Sequence, residues 1–123
     1  MIRPALIGGI VRPAEGLMPK YLLTVSYTTE GAKGLLKDGG SKRRQAVDAA
    51  LKAVGGRVES FYFAFGKHDA YLIVDAPDNV AAAAVALAVG ASGGAVARTT
   101  VLLSPEEIDQ AAKRKPNYTP PGQ

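Results

Sequence analysis

The chain of 123 residues contains no cysteine, no tryptophan and a single histidine, His68. Without a thiol it can form neither a disulfide nor a thiolate nucleophile nor a zinc-thiolate cluster. One histidine and dispersed carboxylates are also a poor ligand set, so we expect no metal site and no cofactor. The absence of cysteine is typical of a reducing compartment, and we therefore expect a cytoplasmic protein.

Long apolar runs and a concentrated positive surface are missing as well. The longest apolar run, Val80–Ala91, is shorter than the roughly 20 residues that a membrane-spanning helix needs. The net charge is +4, but residues 18–112 contain ten Lys/Arg and ten Asp/Glu, so the excess lies at the two ends of the chain. Because nucleic-acid binding needs clustered positive charge, we expect neither a nucleic-acid nor a membrane partner.

Hydrophobic residues make up 47% of the chain and charged residues 21%, which is typical of a globular domain. We expect an N-terminal extension over residues 1–17, in which proline and glycine interrupt a short apolar patch. One compact domain follows over residues 18–112. Three prolines in the last eight residues predict an extended C-terminal tail over residues 113–123.

The first half of this domain predicts a strand followed by a helix. Alternating residue types predict a strand over Lys20–Thr28. Apolar residues spaced three and four apart predict a helix from Ser41 that ends at Gly55–Gly56. Between them, residues 29–40 predict one or two helical turns, interrupted at Gly39–Gly40.

The second half predicts a hairpin, a helix and a last strand. Arg57–Phe65 and His68–Ala76 have the composition of two antiparallel strands, joined by a tight turn in which Gly66 takes a positive φ. Asp78 then caps an alanine-rich helix, and Ala95–Leu103 has the composition of a fourth strand.

A capping box predicts one more helix after that strand. Ser104 is the N-cap, Pro105 occupies the first helical position and Glu107 completes the box, while Leu103 and Ile108 form a hydrophobic staple. The element order is β-α-β-β-α-β with an added terminal helix. We therefore expect an α+β, ferredoxin-like fold, in which two helices cover one face of a four-stranded antiparallel sheet.

The uncovered face of that sheet predicts self-association. In the predicted hairpin strands, both alternating sets of side chains are largely apolar. In Arg57–Phe65, for example, one set contains Phe61, Phe63 and Phe65, and the other contains Val58, Tyr62 and Ala64. Since an exposed apolar sheet face is rare in monomers, we expect a homodimer or a higher oligomer. The alternative is that the extension or the last helix folds back over this face. A single β-bulge would exchange the two sets.

Three blocks of sequence resemble a known family in order along the chain: "KYLLTVSYTTEGAKGLLKDGGSKRRQAVDAALKAVGG", "FYFAFGKHDAYLIVDAPDN" and "TTVLLSPEE". They resemble the GYD domain family, and the likeness runs from Met18 to Ala112. The family's Gly-Tyr-Asp element corresponds here to Gly66-Lys67-His68-Asp69, so His68 stands where the family has tyrosine.

The resemblance implies a dimeric α+β barrel and no defined activity. Related dimeric barrels include small monooxygenases, dehalogenating or decarboxylating enzymes, and ligand-binding regulatory modules. That kinship is one of fold, and a fold does not assign chemistry.

His68 and Asp69 are the first candidate site. Consecutive residues of a strand point to opposite faces, so a direct His-Asp dyad is not expected. In the structural interpretation, Asp69 accepts backbone hydrogen bonds in the turn and His68 lies at its rim. In the catalytic interpretation, His68 transfers protons and faces Tyr27 or a phenylalanine across a pocket.

The segment "KDGGSKRRQ" is the second candidate. Glycine N–H groups, a Ser41 cap, the positive end of a helix and the charges of Arg43 and Arg44 would hold a carboxylate or phosphate. A solvated basic helical turn is the structural alternative. Phenylalanines 61, 63 and 65 would form an apolar wall for an aromatic ligand, with Tyr27 donating a hydrogen bond to it.

We therefore expect a domain that binds a small anionic or aromatic molecule, or a protein partner. Its expected ligand-binding residues are Ser41, Arg43, Arg44, Phe63, Phe65 and Asp69. The alternative is a small cofactor-independent enzyme, similar to a monooxygenase or an isomerase, that uses His68 or Tyr27.

Overall fold

The computed structural model describes residues 18–123 together with two short strands, β1 (Ala5–Ile7) and β2 (Ile10–Arg12). These strands pair antiparallel, with Ile7 opposite Ile10. The remainder of the predicted extension, residues 1–17, lies outside the described residues.

The rest of the chain forms one sheet and four helices. The strands of the sheet are β3 (Lys20–Tyr27), β4 (Arg57–Phe63), β5 (Ala70–Asp75) and β6 (Ala95–Leu102). The helices are α1 (Thr29–Asp38), α2 (Gly40–Ala53), α3 (Asn79–Ala91) and α4 (Pro105–Arg114). The strand order is β4-β5-β3-β6 with every pair antiparallel. The predicted α+β, ferredoxin-like arrangement is confirmed.

Helix α1 is longer than the one or two turns predicted for it. Thr28 ends the strand and caps the helix, since its Oγ1 accepts a hydrogen bond from the Gly31 N–H at 3.1 Å. The helix then runs for ten residues to the expected break at Gly39, whose φ of +83° suits glycine.

Helix α2 follows this break at once, and the prediction that Ser41 caps it is wrong. Gly39 is the N-cap, Gly40 is the first helical residue, and Ser41 lies exposed within the first turn. Because the left-handed Gly39 redirects the chain in a single step, the cap falls two residues earlier than the apolar spacing indicates.

The β4–β5 connection is also longer than predicted. The strands end at Phe63 and restart at Ala70, and the Ala64 N–H donates to the Asp69 carbonyl at 2.9 Å. Gly66 does not have a positive φ. A connection of this length does not need the left-handed residues that a two-residue hairpin turn requires.

A β-bulge in β4 corrects the predicted division of its side chains between the two faces. The register shifts between Val58 and Ser60, with Val58 opposite Val74 and Phe61 opposite Leu72. The extra residue places Val58 on the same face as Phe61, although their numbers differ by three. Tyr62 lies opposite Tyr71 on the other face.

The core lies between the sheet and helices α2 and α3. Its buried side chains come from alternate positions of β3 and β5 and from one side of each helix: Tyr21, Leu23, Ala70, Leu72, Val74, Ala76, Leu51, Ala82 and Val85. The opposite face of the sheet, called the open face below, carries none of the described core helices.

The open face is more polar than the sequence indicates. Its apolar side chains are Leu22, Tyr62, Tyr71, Ile73, Val96 and Leu102, and its polar ones include Thr24, Ser26, Ser60, Arg98 and Thr100. At one end, the buried Asp75 forms 2.8 Å ion pairs with Lys20 and Arg57. The hydrogen bonds of Lys20 to Asp75 and Glu59 raise its pKa.

Helix α4 starts with the predicted capping box, in which Ser104 and Glu107 exchange hydrogen bonds of 2.9 and 3.1 Å. Leu103 and Ile108 remain more than half exposed. The helix extends through Lys113 and Arg114, two residues that the prediction assigned to the extended tail. Within the described ranges, no helix is long and apolar enough to cross a membrane.

Candidate functional site

A cavity of about 470 Å³ lies between the helix-covered face of the sheet and helices α1, α2 and α3. Its walls are mostly apolar, with polar groups gathered toward α1, α2 and the end of β3. The residues that matter below are Tyr27, Gly31, Gly34, Leu35, Arg43, Phe61 and Val89.

Small residues create this space. The Thr28 N–H donates to the Gly94 carbonyl at 3.0 Å, and the Thr28 hydroxyl donates to the Gly93 carbonyl at 2.8 Å. A Cβ at Gly31 would stand 1.8 Å from the Gly94 carbonyl oxygen, so only glycine permits this approach. At Gly34 a Cβ would meet no atom within 4 Å, because that side of α1 faces the cavity.

Tyr27 is the polar residue that β3 contributes to the cavity. It lies on the helix side, opposite Ala95 of β6, and its side chain is half-buried. Burial raises the pKa of its phenol; the nearby Arg43 opposes this shift and Asp69 reinforces it. Within the described part of the chain its hydroxyl makes no hydrogen bond. The Tyr27 phenol is therefore protonated at neutral pH and available as a donor.

The sequence predicts that Arg43 binds an anion, and in the structure Arg43 of α2 lines the cavity. The other charged residues along the cavity wall form ion pairs with residues three or four positions away: Lys42 with Asp38 at 3.7 Å, and Glu30 with Lys33 at 3.5 Å. Arg43 has no carboxylate within 4 Å among the described residues. Its guanidinium is therefore available to an anion.

Ser41 and Arg44, the other two residues of that predicted anion site, do not line the cavity. Arg44 pairs along the helix with Asp48 at 3.9 Å, and both Ser41 and Arg44 are exposed. Neighbouring residues of a helix are separated by about 100° around its axis, so Arg43 and Arg44 cannot both line the cavity; Arg43, which is also exposed to solvent, is the one that does.

Of the three phenylalanines predicted to form an apolar wall, only Phe61 lines the cavity, and Phe63 packs against it. The centroids of these two rings are 5.0 Å apart. A Cβ at Gly40 would stand 2.8 Å from the Phe63 ring, so this ring fits against the start of α2. Phe65 is fully exposed in the β4–β5 connection.

His68 and Asp69 lie elsewhere. His68 Nδ1 is 3.2 Å from Ser26 Oγ, and its ring meets Tyr71 edge-on at 5.9 Å. Since Ser26 and Tyr71 belong to the open face, the sheet separates His68 from Tyr27 and the two do not face each other. Asp69 Oδ2 accepts the Tyr27 N–H at 2.7 Å, a backbone bond of the kind expected for this turn.

The sequence reasoning missed the contribution of α1 to the cavity, namely Glu30, Gly31, Gly34, Leu35 and Asp38. Thr28 three residues before Gly31 is a usable N-cap signal, but two glycines in the following turns concealed the helix. In the region that the structure describes, no group of three or more potential metal ligands lies together.

The antiparallel sheet with helices on one face defines the ferredoxin-like class of α+β proteins. A model of the GYD domain matches residues 21–112, and the chain therefore belongs to the GYD domain family. The resemblance carried by the three quoted blocks is thus confirmed. Searches of curated proteins and of solved structures found no significant match.

Proposed function

We propose that the protein binds a small molecule with an apolar or aromatic body and one anionic group in the cavity between the sheet and the helices. The observation that carries this proposal is that Arg43, without an ion-pair partner among the described residues, and Tyr27 line the same cavity, whose walls are mostly apolar. Neither group has a side-chain partner among the described residues, and a ligand would supply one to each.

The size and lining of the cavity support this ligand class. Small-molecule sites typically span about 300–1,000 Å³ and combine apolar walls with a few polar groups that fix orientation. The cavity of about 470 Å³ lies in the lower part of that range. A guanidinium binds a carboxylate through two parallel hydrogen bonds, so Arg43 would set the direction in which the ligand enters.

Titration with phenylacetate and with its neutral amide, followed by NMR, tests the proposal. We expect phenylacetate to shift resonances of Tyr27, Phe61 and Val89, and the amide to bind at least tenfold more weakly. Arg43→Gln should reduce phenylacetate affinity about tenfold, since a charge-assisted hydrogen bond contributes about 1.5–3 kcal/mol. The matched control is Arg44→Gln, one residue away and already paired. Equal losses in the two variants would refute the assignment of Arg43.

A second candidate function is cofactor-independent catalysis on such a ligand, resembling a small monooxygenase or isomerase. It is favoured by the position of Tyr27, whose phenol lines the cavity and has no hydrogen-bond partner among the described residues, so that it could donate to a bound ligand. In this case Tyr27→Phe would abolish turnover while phenylacetate-like ligands still bind. His68 would act only in a reaction on the open face, and His68→Ala with unchanged turnover would exclude it.

We further propose that the protein forms a homodimer through the open face, which would complete a dimeric α+β barrel. The exposed Tyr62 and Tyr71, with Ile73 and Leu22 beside them, would form the centre of that contact. Ile73→Lys should yield monomers in sedimentation, whereas Phe65→Lys in the exposed connection should not. Dimers of both variants would argue against this face. A different protein partner is the alternative, and the cytoplasmic location stays a prediction from the lack of cysteine.

A further inference from the structure

Helix α4 has an apolar stripe that no other described residue of the chain covers. All ten of its residues are exposed, and Ile108 at its centre is 52% exposed. Ile108, Ala111 and Ala112 fall on one side of the helix, while the charged residues fall on the other. Isolated helices of this length are marginal in water, so α4 needs a packing partner to be stable.

An unfilled apolar groove of about 430 Å³ runs between α3 and the edge strand β6, on the helix side of the sheet. We call it the edge groove. Its lining is Tyr21, Asn79, Ala82, Ala83, Ala86, Leu87, Ala97, Thr99 and Val101. Leu87 and Val101 are 73% and 53% exposed, although both are large apolar residues at its rim.

The edge groove and α4 match in length and shape. The groove follows α3 from Asn79 to Leu87, eight residue steps or about 12 Å, and α4 is about 15 Å long. Ala83 and Ala86 carry only a methyl group, so a second helix can approach α3 closely at these positions.

The charge at one end of the edge groove selects the direction of a bound helix. Asp78 lies at the end marked by Asn79 and Val101. The first turn of α4 is acidic and its last turn is basic. An α4 that runs antiparallel to α3 therefore places its basic end beside Asp78.

The connectivity prevents α4 from reaching its own groove in that direction. Strand β6 ends at Leu102, beside Val101, and only two residues separate it from Pro105. If α4 turned back into the groove of its own chain, it would start at the Asp78 end and run parallel to α3. Its acidic first turn would then face Asp78, so like charges would meet at that end.

We propose that the edge groove receives α4 of a second copy of this chain, antiparallel to α3, and that the two copies exchange these helices reciprocally. Ile108 of one copy would then pack against Leu87 of the other. The groove and the open face lie on opposite sides of the sheet, so this contact does not compete with the sheet-face dimer. It is also independent of what the cavity binds.

The cysteine-free chain allows a direct test by disulfide formation. Ile108→Cys protein, isotope-labelled, is mixed with Leu87→Cys protein and oxidised, and covalent products are weighed by mass spectrometry. Close approach of the two Cβ atoms is required, so we expect mixed dimers in high yield. The matched control, Gln110→Cys on the charged side of α4, should give at least tenfold less. Equal yields from the two positions, or no mixed dimer, would overturn the proposal.

A double variant distinguishes the second copy from the chain's own helix. Ile108→Cys combined with Leu87→Cys in one chain should give covalent dimers after oxidation at micromolar concentration. A monomeric product with an internal disulfide would overturn the exchange and place α4 in its own groove. All substituted side chains are exposed, so these variants are expected to fold, and circular dichroism before oxidation verifies this.

Discussion

Tyr21 and Tyr27 stand on the same strand and the same face of the sheet, six residues apart, but their surroundings differ. Tyr21 is fully buried, and its hydroxyl donates to Asn79 Oδ1 at 2.7 Å. Tyr27 is half-buried, and its hydroxyl has no partner within the described part of the chain. We call their surroundings the packed end, with Tyr21, Leu51 and Val74, and the cavity end, with Tyr27, Gly31, Gly34 and Arg43.

The difference comes from the helices rather than from the strand. At the packed end, α2 inserts Leu51, which is completely buried against the sheet. At the cavity end, α1 presents Gly31, which permits the close approach to Gly94, and Gly34, whose missing side chain leaves space on the cavity side. The candidate binding site lies where α1 lacks side-chain volume and the polar groups of Tyr27 and Arg43 border the resulting space. The packed end should therefore govern stability, and the cavity end should govern binding.

The largest expected effect is on the packed end. Leu51→Ala removes a completely buried side chain, and we expect a loss of about 2–5 kcal/mol in the free energy of unfolding. Urea denaturation measures it, with Leu36→Ala on the exposed side of α1 as the control. A loss below 1 kcal/mol at Leu51 would mean that the packed end is not the stabilising part of the core.

The two glycines of α1 should respond in opposite directions to the same change. Gly31→Ala forces backbone apart at the contact with Gly94, and we expect a loss of about 1–3 kcal/mol. Gly34→Ala meets no atom, and alanine favours helix over glycine, so we expect a gain of about 0.5–1 kcal/mol. Thermal unfolding of the two variants measures both changes in stability. A gain in both or a loss in both would contradict the close approach of Gly31 to Gly94.

Removing each tyrosine hydroxyl compares the two ends directly. Tyr21→Phe deletes a buried hydrogen bond, and we expect a loss of about 1 kcal/mol in unfolding free energy. Tyr27→Phe should change stability by less than about 0.5 kcal/mol but weaken phenylacetate binding severalfold. Denaturation and NMR titration of both variants measure this. A Tyr27→Phe protein that is less stable than Tyr21→Phe would reverse the assignment of the two ends.

Local patterns in the sequence were sufficient for the order of the strands, because strand alternation is a property of neighbouring residues. Tyr27 and Arg43, two of the candidate residues, both line the cavity, and their role in binding stays a prediction. The bulge near Glu59 was not visible, since nothing local marks the extra residue that moves Val58 to the other face. Helix α1 was shortened in the prediction because its glycines oppose helix formation. Gly31 is required by a contact with Gly94, more than sixty residues away.

Both local spacing and a distant contact explain which candidate residues the cavity excludes. Arg43 lies on the same side of α2 as Ala46, Val47 and Ala50 and lines the cavity with them, whereas Arg44 is turned by about 100°. Phe65 and His68 were assigned to strands, but β4 ends at Phe63 and β5 begins at Ala70, so both residues lie in the connection. The Asp69 N–H donates to the Val25 carbonyl at 2.8 Å, a contact between residues far apart in the sequence that no local pattern indicates.

The smallest expected effect is on the pH dependence of stability. Burial raises the pKa of Tyr21, with a further contribution from Asp78, and burial raises that of Tyr27. Above pH of about 10 the unfolded chain releases these phenolic protons while the folded protein retains them. By linkage, the stabilisation is present in full below that pH and declines as pH rises through the folded-state pKa values.

Each tyrosine should contribute a slope of less than about 1.4 kcal/mol per pH unit, and Lys20, whose pKa is also raised, adds in the same direction. Urea denaturation at pH 8, 10 and 11 should therefore give a shallower decline for Tyr21→Phe than for the parent chain. Tyr118→Phe, in the exposed tail, should leave the decline unchanged. If Tyr21→Phe declines as steeply as the parent chain does, the Tyr21 phenol does not retain its proton because of folding.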